Sequence, residues 1–227
     1  MRFEEMNWMD IEAYLNQDDR LILVLGATEE HGYLSLLTDV KIPQALADAA
    51  SQQSGVPIAP ALNFGISPSF LAFPGTISLR TTTFLDVVED MLRSVYGYGF
   101  RRIVIINGHG GNEPARQRIV ELVNQLPDLS VKWYSWWTAQ CIIDISARNG
   151  LPNNHANWEE AFRFTRVTEL PVGEKPQVVI REILNAKAER EILGDGVFGG
   201  PYTAADEVMD EMFIANLKDI LEMLKFE

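Results

Sequence analysis

Arg101-Arg102-Ile103-Val104-Ile105-Ile106-Asn107-Gly108-His109-Gly110-Gly111-Asn112 runs from a continuous apolar stretch straight into a glycine-rich turn holding one histidine. A short apolar run with no polar alternation is the mark of a strand buried on both faces, as in a parallel sheet. Leu21-Ile22-Leu23-Val24-Leu25 repeats the pattern and stops at Gly26, just before Glu29, Glu30 and His31. Working outward, apolar residues at helical spacing over Thr83 to Tyr98 predict a helix. Further helices are expected over Ile42 to Ser51, Glu113 to Gln125, Trp158 to Thr168 and Asp206 to Lys225. Val56 to Leu62, Val131 to Trp137 and Val178 to Ile183 read as strands, and residues 63–80 as a long loop rich in Gly, Pro and Ser. Loops of that length in compact domains are usually functional. Alternating strands and helices predict an α/β layered domain with a mostly parallel sheet, and no linker divides residues 1–227.

The 227 residues carry 47% apolar side chains, enough for a sizeable core, and a net charge of −13. Such a surface repels nucleic acid and anionic membranes, which argues against both as partners. The apolar runs are too short to span a bilayer. Met1-Arg2-Phe3-Glu4-Glu5 has no apolar signal core, and the single Cys141 excludes an internal disulfide, so a cytoplasmic location is expected. Cys141 has no acid–base partner nearby in sequence and reads as packing rather than as a nucleophile.

In open parallel sheets, ligands bind beyond the carboxyl ends of the strands. The first two histidine motifs each follow a buried strand, so both point to one sheet edge. In an extended segment, residues i and i+2 project to one side. Glu29 and His31 can then share a site with Asp39, while Glu30 points away. Imidazole and carboxylate together are the ligand set of catalytic Zn, Mn or Fe. Plainer readings coexist. Asp39 can cap the helix near Ile42, and the glycines around His109 can serve a tight turn, which leaves the histidine itself unexplained. His155 and Glu160 can belong to a loop and a helix start. Trp133, Trp136, Trp137 and Trp158 suit core or interface packing. Arg163 and Arg166 are expected to pair with acidic residues of their own helix.

Taken together, these motifs resemble the creatininase (creatinine amidohydrolase) family. Gly26-Ala27-Thr28-Glu29-Glu30-His31-Gly32 with Thr38-Asp39, Phe73-Pro74-Gly75-Thr76-Ile77-Ser78-Leu79, Asn107 to Asn112, His155-Ala156 with Glu160, and Gly196 to Pro201 follow the family's order. The resemblance implies a three-layer α/β/α sandwich, a homo-oligomer (usually a hexamer), and a centre of two divalent ions (Zn, Mn or Fe). It implies Glu29, His31, Asp39 and His109 as metal ligands, with Asp39 bridging. His155 and Glu160 resemble residues that line the site and assist proton transfer.

The sequence departs from the creatinine-hydrolysing members of that family. Tyr33-Leu34-Ser35-Leu36 replaces Pro-His-Leu-Pro, Gly111 replaces a metal-binding Glu, Leu151-Pro152 replaces a Trp-Asp pair, and Ala161-Phe162 replaces Thr-Ser. Glu160 or a water is therefore expected at the position Gly111 cannot supply. Creatinine is expected to be a poor substrate, with Tyr33, Trp136, Trp137 and Trp158 offering a flatter, more apolar pocket. The implied activity is hydrolysis of a non-peptide or cyclic amide C–N bond in a small molecule, through a hydroxide bridging the metals. Formamide or modified-peptide hydrolysis is the alternative within the family. A non-catalytic, metal-stabilised ligand-binding protein is the rival from another class.

Overall fold

The computed structural model describes residues 1–227. Three parallel strands, β1 (Arg20–Leu25), β2 (Arg102–Asn107) and β3 (Ser130–Ser135), lie in that order, with Leu21 opposite Ile103 and Ile105 opposite Trp133. Alternation along each strand splits the core in two. Ile22, Val24, Val104 and Ile106 face one layer, where α2 (Thr38–Ser54), α5 (Gln140–Asn149) and α7 (Asp206–Met223) cover them. Leu21, Leu23, Ile103 and Ile105 face the other, covered by α3 (Thr81–Tyr98) and α4 (Ala115–Val123). The result is the three-layer α/β/α sandwich. β1 and β2 are buried on both faces, which is why they read as unbroken apolar runs, whereas β3 is exposed at its start and buried only at Tyr134 and Ser135.

The segment 56–62 does not become a full strand. It meets β1 only at Ile58 and Leu62, because Pro57 and Pro60 have no N–H to donate to a ladder. The helix expected over Trp158 to Thr168 shrinks to one 3₁₀ turn, Trp158–Glu160. There the Thr165 hydroxyl donates to the Glu160 carbonyl (2.6 Å) and Arg166 Nε to the Ala161 carbonyl (2.8 Å). Side chains thus take carbonyls that a helix would give to backbone amides. Arg163 and Arg166 pair instead with Asp206 at the start of α7, at 3.0 and 2.9 Å. No strand forms over Val178 to Ile183. A two-residue antiparallel pair, β4 (Glu174–Lys175) with β5 (Gly200–Pro201), closes the late segment.

Three helices escape the apolar pattern: α5, α1 (Trp8–Leu15) and α6 (Ala186–Leu193). Asn7 and Asn185 cap the last two, each accepting from two backbone amides of the first turn.

Helix α2 starts at Thr38, earlier than its apolar residues suggest, so Asp39 lies in its first turn rather than capping it. Pro43 lies four residues after Asp39 and offers no N–H to the Asp39 carbonyl. That carbonyl faces Gly108 at the end of β2, where a Cβ would sit 2.0 Å from it. Only glycine there lets α2 come this close, and the approach brings Asp39 to the sheet edge.

Candidate metal centre

Beyond the carboxyl ends of β1 and β2 lies a buried cluster of histidines and carboxylates. Glu29, His31, Asp39 and His109 are each less than a tenth exposed. His31 Nε2 is 2.9 Å from Asp39 Oδ1, and His109 Nδ1 is 3.0 Å from Asp39 Oδ2. Glu29 Oε2 approaches His109 Nε2 at 3.6 Å, and Glu160 Oε1 approaches His31 Nε2 at 3.7 Å. Two groups result, Glu29–Asp39–His109 and His31–Asp39–Glu160, each with its donor atoms within 4.8 Å of one another. Asp39 belongs to both. The structure thus brings together all five of the residues expected as ligands. A third group joins Glu29 and His31 to His155.

The backbone aims the rings. His31 Nδ1 lies 3.1 Å from the Glu29 carbonyl and His109 Nε2 lies 2.9 Å from the Ile66 carbonyl. In the neutral ring each contact uses one nitrogen as donor and leaves the other, His31 Nε2 or His109 Nδ1, facing Asp39 with a lone pair. Outer hydrogen bonds of this kind orient metal-binding imidazoles. The long loop supplies Ile66, and Thr76 Oγ1 accepts from the Glu30 amide at 3.0 Å, so the loop's role is to hold both motifs.

Glu160 is fixed by a local turn. Its Oε2 accepts from the Ala156 amide at 2.7 Å, across a turn in which Ala156 has φ +59°. That leaves Oε1 toward His31. Gly111 could not carry a side chain without rearrangement, since a Cβ there would sit 2.0 Å from the Ile66 carbonyl and 2.5 Å from His109 Nε2.

The buried carboxylates and imidazoles shift one another's protonation. Burial pushes the Glu29 carboxyl above its ordinary value. Burial also opposes the charge on Asp39, yet His31 and His109 hold it below the usual carboxylate range. Burial disfavours protonated His109, but Glu29 and Asp39 outweigh it and raise the ring to about 9. His31 is raised well above its ordinary value by Asp39 and Glu160 against the same burial. Glu29 Oε2, His31 Nε2 and Asp39 Oδ2 have no hydrogen-bond partner although buried. Orphaned buried donors and acceptors are costly, and these three all belong to the two groups that share Asp39. The donor set and its unmet atoms fit a pair of cations.

A cavity of about 300 Å³ opens beside the cluster, lined by Asp39, His109, Trp137, Asn153, His155 and Glu160 among others. It is polar and acidic, with Trp137 its one hydrophobic wall, and so differs from the apolar pocket expected. Trp136 and Trp158 are fully buried in the core, and Tyr33 packs edge-on to Tyr202. Leu151 packs toward the core and Pro152 gives its carbonyl to Asn157 and Trp158, so neither lines the cavity.

Sequence reasoning missed several groups here. Glu30 does not point away. The chain turns at Gly32 (φ +55°), and Glu30 Oε1 reaches His155 Nε2 at 3.1 Å. Glu159 also faces the cavity. Burial, with Glu160 adding to it, raises its carboxyl to about 9, and its Oε1 accepts from Asn153 at 2.8 Å. The run Asn153-Asn154 beside a histidine was the available signal for this wall. Cys141 is half-buried, its thiol pushed up to about 11 by burial and by Asp219 at 3.3 Å, as suits packing.

Fold and cluster together define a three-layer α/β/α protein with a histidine–carboxylate site at the carboxyl edge of a parallel sheet. The creatininase model, described as creatinine amidohydrolase, matches residues 4–224, and the chain belongs to that family. Among relatives, creatinine amidohydrolase of Pseudomonas putida is 33% identical over 115 residues, 48% of this chain and 44% of that protein. The mycofactocin precursor peptide peptidase of Mycolicibacterium smegmatis is 36% identical over 110 residues, 45% and 44% of the two chains. The match thus spans less than half the length of these curated relatives. A solved tryptophan-to-phenylalanine creatininase mutant superposes with TM-score 0.85 at 21% identity, covering 99% of this chain and 97% of the other. No helix is long and apolar enough to cross a membrane.

Proposed function

We propose that this protein is a divalent-metal-dependent amidohydrolase acting on a non-peptide or cyclic amide C–N bond of a small molecule. The sharing of Asp39 between two histidine–carboxylate groups, with three buried donor atoms left unmet, carries this reading. Glu29, Asp39 and His109 would hold one ion, and His31, Asp39 and Glu160 the other. Neighbours in fold are described as a Mn creatininase and a Zn-Zn creatininase, which supports these metals here. Bound cations supply Lewis acidity toward the amide carbonyl and lower the pKa of water.

The chain's own residues handle orientation and protons. The cavity admits a small amide between Trp137 and the acidic wall. Water adds to the carbonyl carbon, and His155 takes a proton at Nδ1, the nitrogen nearer the cluster. The C–N bond then breaks as His155 returns that proton to the leaving nitrogen. Leu151 and Pro152 offer no group to a creatinine ring, so creatinine is turned over slowly. A neighbour described as a creatininase mutant complexed with creatine shows what its own site accepts. Assembly into a homo-oligomer belongs to the same reading, supported by the fully exposed Val172 and Ile183.

The test is metal analysis of the purified protein, followed by an amine-release screen over small cyclic amides, formamides and peptides. Two equivalents of Zn, Mn or Fe with turnover of a cyclic amide is the expected result. Absence of bound metal after reconstitution, or binding without any turnover, would sink it in favour of a ligand-binding protein.

A further inference from the structure

Three histidines meet at this site, and each spends one ring nitrogen on a fixed acceptor. For His31 and His109 the acceptors are the backbone carbonyls of Glu29 and Ile66. For His155 the acceptor is a side chain, the Glu30 carboxylate, 3.1 Å from Nε2. Glu30 is only 5% exposed. Its second oxygen accepts from the Gly32 amide at 3.1 Å, so the carboxylate cannot swing freely.

Its socket is built from a distant part of the chain. Gly196 has φ +92°, and a Cβ there would fall 1.9 Å from Glu30 Oε2. Lys175 donates to the Val197 carbonyl and to Asp195, pinning that segment on both sides of Gly196. Phe70 stacks on the His155 ring at 4.7 Å and 17°, and Phe198 meets it edge-on at 5.8 Å. The aromatic contacts fix the plane of the ring. They do not choose which nitrogen carries the proton.

We infer that Glu30 is a positioning residue that holds His155 as the Nε2–H tautomer, leaving the Nδ1 lone pair free toward the reaction site. A carboxylate oxygen only accepts, so the nitrogen hydrogen-bonded to it, Nε2 at 3.1 Å, must donate. The free nitrogen is then Nδ1, whose approach to Glu29 Oε1, 3.8 Å, is beyond hydrogen-bond distance, on a ring that lines the cavity. A neutral imidazole in the opposite tautomer would present an N–H there and could not take a proton from water. The same logic gives the carboxylate its place beside the imidazole base of hydrolase triads, where it fixes tautomer and orientation. The catalytic meaning rests on the hydrolase reading above, whereas the tautomer itself does not.

The experiment is nitrogen-15 NMR of histidine-labelled, Zn-loaded protein, recorded with the His155 ring neutral. The wild type is expected to carry its ring proton on Nε2 alone. Glu30→Gln keeps an accepting oxygen and is expected to retain that signature. Glu30→Ala is expected to lose it, giving a mixture of tautomers or a shift to Nδ1–H. Gly196→Ala pushes the carboxylate off its seat with Glu30 intact, and the same loss is expected. A wild-type proton on Nδ1 overturns the inference whatever the variants do. So does an unchanged Nε2–H signal in Glu30→Ala or, should that variant fail to fold, in Gly196→Ala. Because this readout needs no turnover, an inactive protein with the Nε2–H tautomer would defeat the hydrolase reading and leave the role of Glu30 standing.

Discussion

The two halves of the site are built in different ways. Glu29, His31, Asp39 and His109 hang from the ends of β1 and β2 and the first turn of α2, all within one hydrogen-bonded and packed frame. His155, Glu159 and Glu160 sit in the stretch between α5 and α6, whose regular structure amounts to one 3₁₀ turn and the two-residue β4. Side chains on a sheet edge have positions set by backbone geometry. Glu159 and Glu160 of the late segment are set by local hydrogen bonds, Glu160 with the Ala156 amide and Glu159 with Asn153, and His155 by Glu30 and Phe70 from outside it. Metal ligation tolerates little positional error, so the rigid half suits it. The late half supplies Asn153, Asn154, His155, Glu159 and Glu160 to the cavity wall, alongside Asp39 and His109 of the rigid half.

The strongest way to break this division is Asp39→Asn. Asp39 is the one residue in both groups, so its loss is expected to cut metal content below about one ion per chain. Hydrolysis should fall by at least about 10³-fold, the scale of the several kcal/mol that a metal contributes to the transition state. Plasma mass spectrometry of the purified variant and an amine-release assay check both. Retention of both ions would show that the rigid half does not hold the metal.

Glu160→Gln tests the one place where the late half reaches into the ligand set. One ion should be lost and the other kept, with activity down by roughly 10²-fold or more. Full metal content with lost activity would move Glu160 to proton transfer and make the division between the halves complete.

The same contrast explains what was legible in the sequence. β1, β2 and their histidine motifs could be read because burial on both faces forces unbroken apolar runs, and the motifs follow them directly. Thr38 to Lys41 could not be read as helix, because an approach to glycine and not an apolar stripe fixes that end of α2. The late segment misled for a different reason. Its spacing around Trp158 looks helical, but Thr165 and Arg166 take the carbonyls that a helix needs. Glu30 was misplaced because alternation of side chains holds for a straight strand, and the chain turns at Gly32.

A smaller effect separates the halves by pH. Ligating imidazoles must be neutral, and without a cation His109 is held protonated up to about 9 by Glu29 and Asp39, which outweigh its burial. A bound metal would therefore displace a proton from the rigid half. Zn²⁺ affinity is expected to rise with pH up to about 9, by about tenfold per unit for each proton displaced, and then to level off. The sign is opposite for the metal-free fold. The stabilisation from protonated His109 is present below its ordinary value and is lost as pH rises through about 9. Calorimetric titrations across this range measure the slope, and a flat affinity profile would contradict the charge balance described for the cluster.

The smallest expected effect concerns Gly111, the position whose missing carboxylate Glu160 would supply in the proposed reading. A methyl group there would meet the Ile66 carbonyl at 2.0 Å and His109 Nε2 at 2.5 Å. Backbone on one side and a pinned ring on the other leave little room to yield. Gly111→Ala is therefore expected to cost about 1–3 kcal/mol, the usual penalty for overpacking a close contact. In a chain of this size that lowers the melting temperature by about 2–4 °C per kcal/mol. The Ile66 loop must move for the side chain to fit, and it carries the hydrogen bond that aims His109. Metal affinity should then fall along with stability, by about 10–100-fold, as for other losses of an orienting partner. Thermal melts with and without Zn²⁺ separate the two effects. A variant as stable and as tightly metallated as the wild type would mean that the loop yields easily. The carboxylate could then have stayed at position 111, and the assignment of Glu160 in its place would lose its structural reason.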